Sequence, residues 1–402
     1  MSTSNKKKLS GAMAFIFLMG IVSLFSDMTH EGGRSVLGEY LTLTGASAAT
    51  IGFVSGFGEL CGYSLRIISG FIADKTKKYW TLIILGYTIQ VLAIPVLALI
   101  PDNGWVLACA LVIIERVAKA IKKPAKNTLV SFAASEVGTG KGFAYQEFLD
   151  QLGAFSGPVI LFIIALIKGT GNLVSTYRFC FAFLGIPALI TIALVVFSRI
   201  KYPNPEMFEK EEEKETEFRF RKSFVFYMIA ICLFAFGFAD FTLITLHVAK
   251  LRIFPDSALS LLYALAMAVD AFAALFFGWL FDKVGLKALI ISTVFSALFS
   301  VFIFLNNSPF MIITGIIFWG IGMGAQESIM KAAVSEIIPR SMRSTGFGIF
   351  ETGFGVAWFL GSWLLGVLYD INIGYLVGVS IAAQLLAIVF YFICIAQKKK
   401  EN

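Results

Sequence analysis

Glu115, Arg116, Lys119, Lys122, Lys123 and Lys126 stand close together in a stretch that is otherwise apolar. At about 100° per residue they fall within an arc of roughly 120°, while Val117, Ile121, Pro124 and Ala125 take the other side. A ladder of cations of this kind can recognise an anionic or strongly polar group, or hold a carboxylate that exchanges a proton. Arg116, with Lys119 beside it, is expected to contact a solute; the alternative for Arg116 is a structural pair with a neighbouring acid. Lys122, Lys123 and Lys126 are expected to run their alkyl stems along the apolar surface and reach the interface.

Asp27, His30, Glu31 and Arg34 form a second set, on one face of another apolar stretch. A carboxylate in low dielectric beside a cation switches protonation with small changes in its surroundings. Asp27 and Glu31 are therefore the first candidates for a proton site, with Arg34 modulating them and Asp150 joining from a later stretch. An internal Glu31–Arg34 or Asp27–Arg34 pair is the structural alternative. Glu147 and Glu351 occupy equivalent places in the two halves of the chain and are assigned, with Asp240, to solute contact. Glu327 and Lys331 are spaced i, i+4, which reads as a structural ion pair. Glu59, Arg66, His247 and Asp270 complete the main charges set in apolar surroundings.

The elements that must position these groups are membrane helices. Residues of the AVILMFWYC set make up 58% of the 402 residues and charged residues 15%, and the mean hydropathy is +0.82. Runs of about 20 apolar residues recur along the whole length, which excludes a soluble domain. Twelve spans are expected, roughly 12–40, 47–73, 79–100, 104–130, 142–167, 176–199, 223–250, 257–281, 287–305, 310–337, 344–369 and 374–396, and they lack the alternation of an outer-membrane barrel. Spans 3, 9 and 12 have no charged interior residue, and span 6 has only Arg178 near one end. Every third helix is thus expected to face lipid.

The net charge of +7 follows topology and does not indicate a nucleic-acid partner. Lys6–Lys8, Lys75, Lys77, Lys78, Arg199, Lys201, Arg219, Arg221, Lys222 and Lys398–Lys400 lie at one set of span ends. The opposite loops Pro101–Asn103, Asn306–Ser308 and Asp370–Ile373 carry no Lys or Arg. The positive-inside rule then puts both termini in the cytoplasm of a cell-membrane protein. Five cysteines, all in apolar spans and without a C-x-x-C, read as reduced packing thiols. With two histidines, no metal or other cofactor is expected. There is no G-x-x-x-x-G-K-[ST] loop for ATP, and no constellation for an enzyme.

The chain is built twice. A polar stretch over 203–222, with the charge run Glu209–Glu215, separates an N-terminal half, 1–202, from a C-terminal half, 223–402. It reads as a solvated linker. Phe25-Ser26-Asp27-Met28-Thr29 corresponds to Phe238-Ala239-Asp240-Phe241-Thr242, Ser135-Glu136 to Ser335-Glu336, and Gly142-Phe143, Glu147 and Gly157 to Gly346-Phe347, Glu351 and Gly361. Gly70, Asp74, Lys75 and Lys78 end span 2, and Gly278, Asp282, Lys283, Gly285 and Lys287 end span 8.

These residues resemble the loop motif G-x-x-x-D-[RK]-x-G-[RK] of the major facilitator superfamily, and the resemblance covers nearly the whole chain. The first copy departs from it, with Lys77 at the place of the second glycine. The resemblance implies an all-α membrane protein of twelve transmembrane helices in two pseudo-symmetric six-helix halves. It implies secondary transport of a small polar or charged solute by alternating access, coupled to protons, by a monomer in the lipid bilayer. It also implies a cytoplasmic latch in which Asp74 and Asp282 pair with a neighbouring helix. A multidrug/proton antiporter is the alternative, and a transporter-like receptor or lipid scramblase is more remote. Gly153-x-x-x-Gly157-Pro158 is similar to the family's antiporter signature without its trailing glycines, and such small-residue pairs also serve helix packing.

Overall fold

The computed structural model describes residues 3–46, 48–168, 172–209, 221–254 and 256–401. The linker residues 210–220 and the side chain of Glu59 lie outside the described residues. The described chain is all-α, with no strand. In order, the helices are α1 (Thr3–Leu43), α2 (Ala48–Thr76), α3 (Tyr79–Val96), α4 (Trp105–Val137), α5 (Thr139–Lys168), α6 (Leu173–Phe183) and α7 (Gly185–Lys201). After the linker come α8 (Lys222–Gly237), α9 (Phe241–Leu251), α10 (Asp256–Val284), α11 (Lys287–Phe304), α12 (Pro309–Ile337), α13 (Arg343–Ile371) and α14 (Ile373–Glu401). Nine candidate spans among the described residues are long and apolar enough to cross a membrane. This is a multi-pass membrane protein.

Two of the twelve expected spans are each made of two helices. Span 6 divides at Leu184 between α6 and α7. Pro187 has no N–H to give to the Phe183 carbonyl, which removes one rung of the ladder at this point. Span 7 breaks at Phe238, Ala239 and Asp240, between α8 and α9. Non-helical backbone at membrane depth is tolerated only where protein groups satisfy it. Here the indole N–H of Trp319 donates to the Ala239 carbonyl at 2.9 Å, and Ser380 Oγ donates to the Gly237 carbonyl at 2.6 Å, joined by Gln384 Nε2 at 3.4 Å. The equivalent α1 runs unbroken through Asp27.

The chain clusters into two compact units. One comprises Met1–Val137, Phe148–Glu211 and Met342–Ile349; the other comprises Gly138–Glu147, Glu212–Ser341 and Phe350–Asn402. Within the first, α2 and α3 pack along α4, and α1 and α3 along α7; within the second, α10 and α11 pack along α12, and α8 and α11 along α14. These are the same span pairs, which shows the duplication in the packing itself. Gly153 and Gly157 of α5 lie against α1, where an added Cβ would come within 2.1 Å of the Leu24 carbonyl and 2.3 Å of the Met28 carbonyl. Gly361 of α13 makes the matching approach to Phe236 of α8. The G-x-x-x-G-P run thus has a packing role here. Helix α11, without charge after its first residue, divides into an exposed apolar stripe, Ile291, Val294, Phe295 and Leu298, and a buried small polar face, Ser292, Ser296 and Ser300. Such a helix carries lipid-like surface on one side only.

The start of the linker is docked. Phe208 is 3% exposed, packed on Phe15 and Tyr202 with ring centroids 6.0 and 5.9 Å away. The α2–α3 turn explains the altered first motif. Gly285 has φ +61° and Lys77 has φ +54°, each amide bonding four residues back, to Phe281 and Ala73. The two turns have one shape, and only the second uses the residue that adopts it without strain. Lys77→Gly is therefore expected to raise the thermal unfolding midpoint in detergent, a gain of roughly 0.5–1 kcal/mol after the flexibility cost of glycine.

Candidate functional site

In the first unit the cation face of α4 is turned toward α1, α3 and α5. Lys126 Nζ donates to Ser23 Oγ at 2.6 Å and lies 3.4 Å from Asp150 Oδ2. Lys122 Nζ donates to Ser26 Oγ at 3.2 Å and sits 3.4 Å above the centre of the Tyr87 ring. Tyr87 in turn shares a 3.2 Å hydrogen bond with Ser23. Asp27, one turn along α1 from Ser23, is within electrostatic reach of Asp150, Lys119, Lys122 and Lys126. The expectation that these lysines reach the interface is thus corrected for two of them: Lys122 is 5% and Lys126 7% exposed. Hydroxyls, a ring and a carboxylate replace the water an ammonium would otherwise need. Lys123 is half-buried.

Farther along the same helices a second chain of charges forms. His30 lies between two acids, Nδ1 3.0 Å from Glu115 and Nε2 3.4 Å from Glu31. Glu31 is 3.8 Å from Arg34, and Glu115 is 3.6 Å from Arg116 Nε. The Glu31–Arg34 pair is the structural alternative read from the sequence, and it is present at the long end of the ion-pair range. The side chain of Arg34 is 55% exposed, so it touches the rim of the cluster. Arg116 is buried where Gly58 of α2 leaves it room; a Cβ there would stand 3.1 Å from Arg116 Cγ. The bridging role of His30 was not legible from spacing alone, because Glu115 belongs to a distant helix.

The second unit places one lysine among several acids. Lys331 Nζ is 2.8 Å from Glu327 and 3.1 Å from Glu147, with Glu351 also in electrostatic reach. Asp270, fully buried on α10, interacts with Glu147, Glu327 and Lys331. Glu147 and Glu351 are thus brought to a common cation, while Asp240 stands at the α8–α9 break, half-buried.

The paired D-K motifs cap helices. Asp74 accepts from the backbone N–H groups of Ser344, at 3.1 Å, and Thr345. Asp282 accepts from those of Gly140, at 2.7 Å, and Lys141, at 3.1 Å. These are the second and third residues of α13 and α5, whose first turns carry no acid of their own. Each aspartate does from another helix what an N-cap side chain does locally. The glycines make the approach short enough: a Cβ at Gly70 would fall 2.3 Å from the Ser344 carbonyl, and one at Gly278 2.6 Å from the Gly140 carbonyl. Asp74 is 5% exposed and Asp282 is exposed. Burial pushes the Asp74 carboxyl above its ordinary pKa, and the amide bonds from Thr345 and Ser344 pull it back. The motif lysines take no part in the caps: Lys75, Lys78, Lys283 and Lys287 are exposed, and Lys283 lies 3.8 Å over the Trp279 ring. Arg343, the first residue of α13, pairs with Glu209 of the linker at 2.6 Å.

A family model described as Major Facilitator Superfamily matches residues 9–285 and 242–402. The chain belongs to the major facilitator superfamily. It is 36% identical over 387 residues to an uncharacterised protein of Mycobacterium tuberculosis, covering 95% of this chain and 93% of that one. An uncharacterised MFS-type transporter of Methanocaldococcus jannaschii is 24% identical over 369 residues, with 89% of each chain covered. Among solved structures, the proton:xylose symporter XylE bound to 6-bromo-6-deoxy-D-glucose matches with a TM-score of 0.72 and 13% identity over 96% of each chain, a likeness of fold alone. Membership in the superfamily places this protein among membrane transporters.

Three outcomes test these contacts. Gly70→Ala and Asp74→Asn are both expected to lower the hydrogen-exchange protection of the Ser344 and Thr345 amides, by about 1–2 kcal/mol for the lost cap. Asp282→Asn, at the exposed copy, should have the smaller effect on its own helix. Lys331→Ala should lower the unfolding free energy by about 3–5 kcal/mol, because it leaves buried carboxylates uncompensated; thermal unfolding in detergent reads the change.

Proposed function

We propose that this protein is a secondary active transporter that carries a small polar or charged solute by alternating access, driven by protons. The observation that carries the reading is the buried lysine–carboxylate cluster of the first unit. Lys119, Lys122 and Lys126 face two acids, Asp27 and Asp150, a lysine-rich lining that suits an anionic group on the solute. Buried ionisable groups in a membrane are costly and mark solute or proton paths. Asp27 with Asp150 forms the proton site, since carboxylates that sense each other do not ionise independently. Glu31, between His30 and Arg34, shares the proton role, and Arg34 modulates it from the rim. Arg116 and Lys119 contact the solute in the first unit, and Glu147, Asp240 and Glu351 do so in the second. The caps made by Asp74 and Asp282 act as latches that break and reform with each cycle. The distribution of Lys and Arg supports a cell-membrane location with both termini in the cytoplasm.

A second reading, efflux of an apolar solute in exchange for protons, is favoured by the aromatic cluster at the α8–α9 break. The Phe238 ring lies 5.3–5.4 Å from those of Phe234, Phe299, Trp319 and Trp358. The deciding measurement is the lumenal pH of vesicles holding the purified protein, challenged with a panel of organic anions and lipophilic cations. An anion is expected to move protons, and Asp27→Asn should reduce that movement about a hundredfold while solute counterflow persists. Proton movement with lipophilic cations alone would select efflux. If no solute changes lumenal pH and Asp27→Asn behaves as wild type, proton coupling is wrong.

A further inference from the structure

A cavity of about 490 Å³ lies in the first unit where the α2–α3 turn meets the end of α7. It is a built feature. The segment after α7 folds back over the start of α3, where the Trp80 indole donates to the Pro203 carbonyl at 3.1 Å. Phe208 then anchors that segment among Phe15, Tyr202 and Gly11. Pro203–Glu206 so held line the cavity together with Lys77, Lys78 and Arg199. Three cations from two separate elements therefore face one cavity, against one acid, Glu206.

Two further features narrow the ligand. Lys78 stands at the N-cap position of α3 and provides no side-chain cap, so the first turn of that helix presents its positive end to the same region. The lining includes an exposed apolar side chain: Ile200 is 73% exposed. A freely soluble anion would need only the cations. Cations beside an exposed apolar side chain, at the end of membrane helices, match a molecule that is anionic at one end and greasy at the other. Basic pockets between transmembrane helices hold lipid headgroups by this combination.

We propose that this cavity binds the phosphate-bearing headgroup of an anionic phospholipid, with Arg199 and Lys78 on the phosphate and the acyl chains leaving over Ile200. The site is separate from the charge clusters assigned to solute and protons, and it holds whether or not that assignment does. Free phosphate shares the headgroup chemistry, so the experiment separates the two sources.

The test uses the purified full chain in detergent. Its thermal unfolding midpoint is followed against dioctanoyl-phosphatidylglycerol, dioctanoyl-phosphatidylcholine and inorganic phosphate. Phosphatidylglycerol is expected to give a saturable upward shift that the other two do not match. Arg199→Gln with Lys78→Gln should weaken that apparent affinity about thirtyfold, and Glu206→Gln should strengthen it about fivefold. The Glu206→Gln arm keeps the test decisive if the double variant fails to fold. Equal shifts with phosphatidylglycerol and phosphatidylcholine, or a phosphatidylglycerol shift that Glu206→Gln leaves unchanged, would overturn the site. A saturable shift with inorganic phosphate as large as that with phosphatidylglycerol would overturn the lipid as its ligand.

Discussion

An ammonium or carboxylate held inside a helical bundle loses its water, and it stays charged only where the protein supplies an opposite charge or several hydrogen bonds. Much of the architecture can be read as an answer to that constraint. Lys126 reaches Asp150 and Ser23, Lys122 reaches Ser26 and the Tyr87 ring, and Lys331 is shared between Glu327 and Glu147. Each of these contacts fixes which face of a helix meets its neighbour. Helix α4 cannot rotate without exposing lysines, and α12 cannot rotate without stranding Lys331.

The backbone obeys the same rule. A helix start has unsatisfied N–H groups and a broken helix has unsatisfied carbonyls. In α5 and α13 the starts are satisfied from outside, by Asp282 and Asp74. At the α8–α9 break, Trp319, Ser380 and Gln384 satisfy the carbonyls. The two units apply these devices unequally. The first keeps its opening helix whole and buries its aspartate cap; the second breaks the equivalent helix and leaves its cap exposed. The two halves of one repeated pattern thus differ in how their helix ends are satisfied.

The charge balance also differs between units. The first gathers lysines around two aspartates, and the second gathers carboxylates around Lys331. The docked start of the linker adds a further tie, since Glu209 meets Arg343 at the first residue of the helix that Asp74 caps.

Hydropathy, the distribution of Lys and Arg and the repeated G-x-x-x-D-K were enough to establish a membrane protein, two related halves and the superfamily, because each is carried by residues near one another in the chain. The charged positions were also visible, including Asp270 and the α4 lysines. Their partners were not. Whether Lys122 turns outward or toward Tyr87, whether His30 bridges to Glu115, and which helix start Asp74 meets all depend on residues dozens to hundreds of positions away. The break at Phe238–Asp240 was hidden for the same reason: its apolar sequence reads as continuous helix, and only the indole of Trp319 and the side chains of α14 make the interruption affordable. Local spacing determined what could ionise and where the chain crosses the membrane. Tertiary packing decided which charges meet, because in a medium without water a charge is defined by its nearest partner.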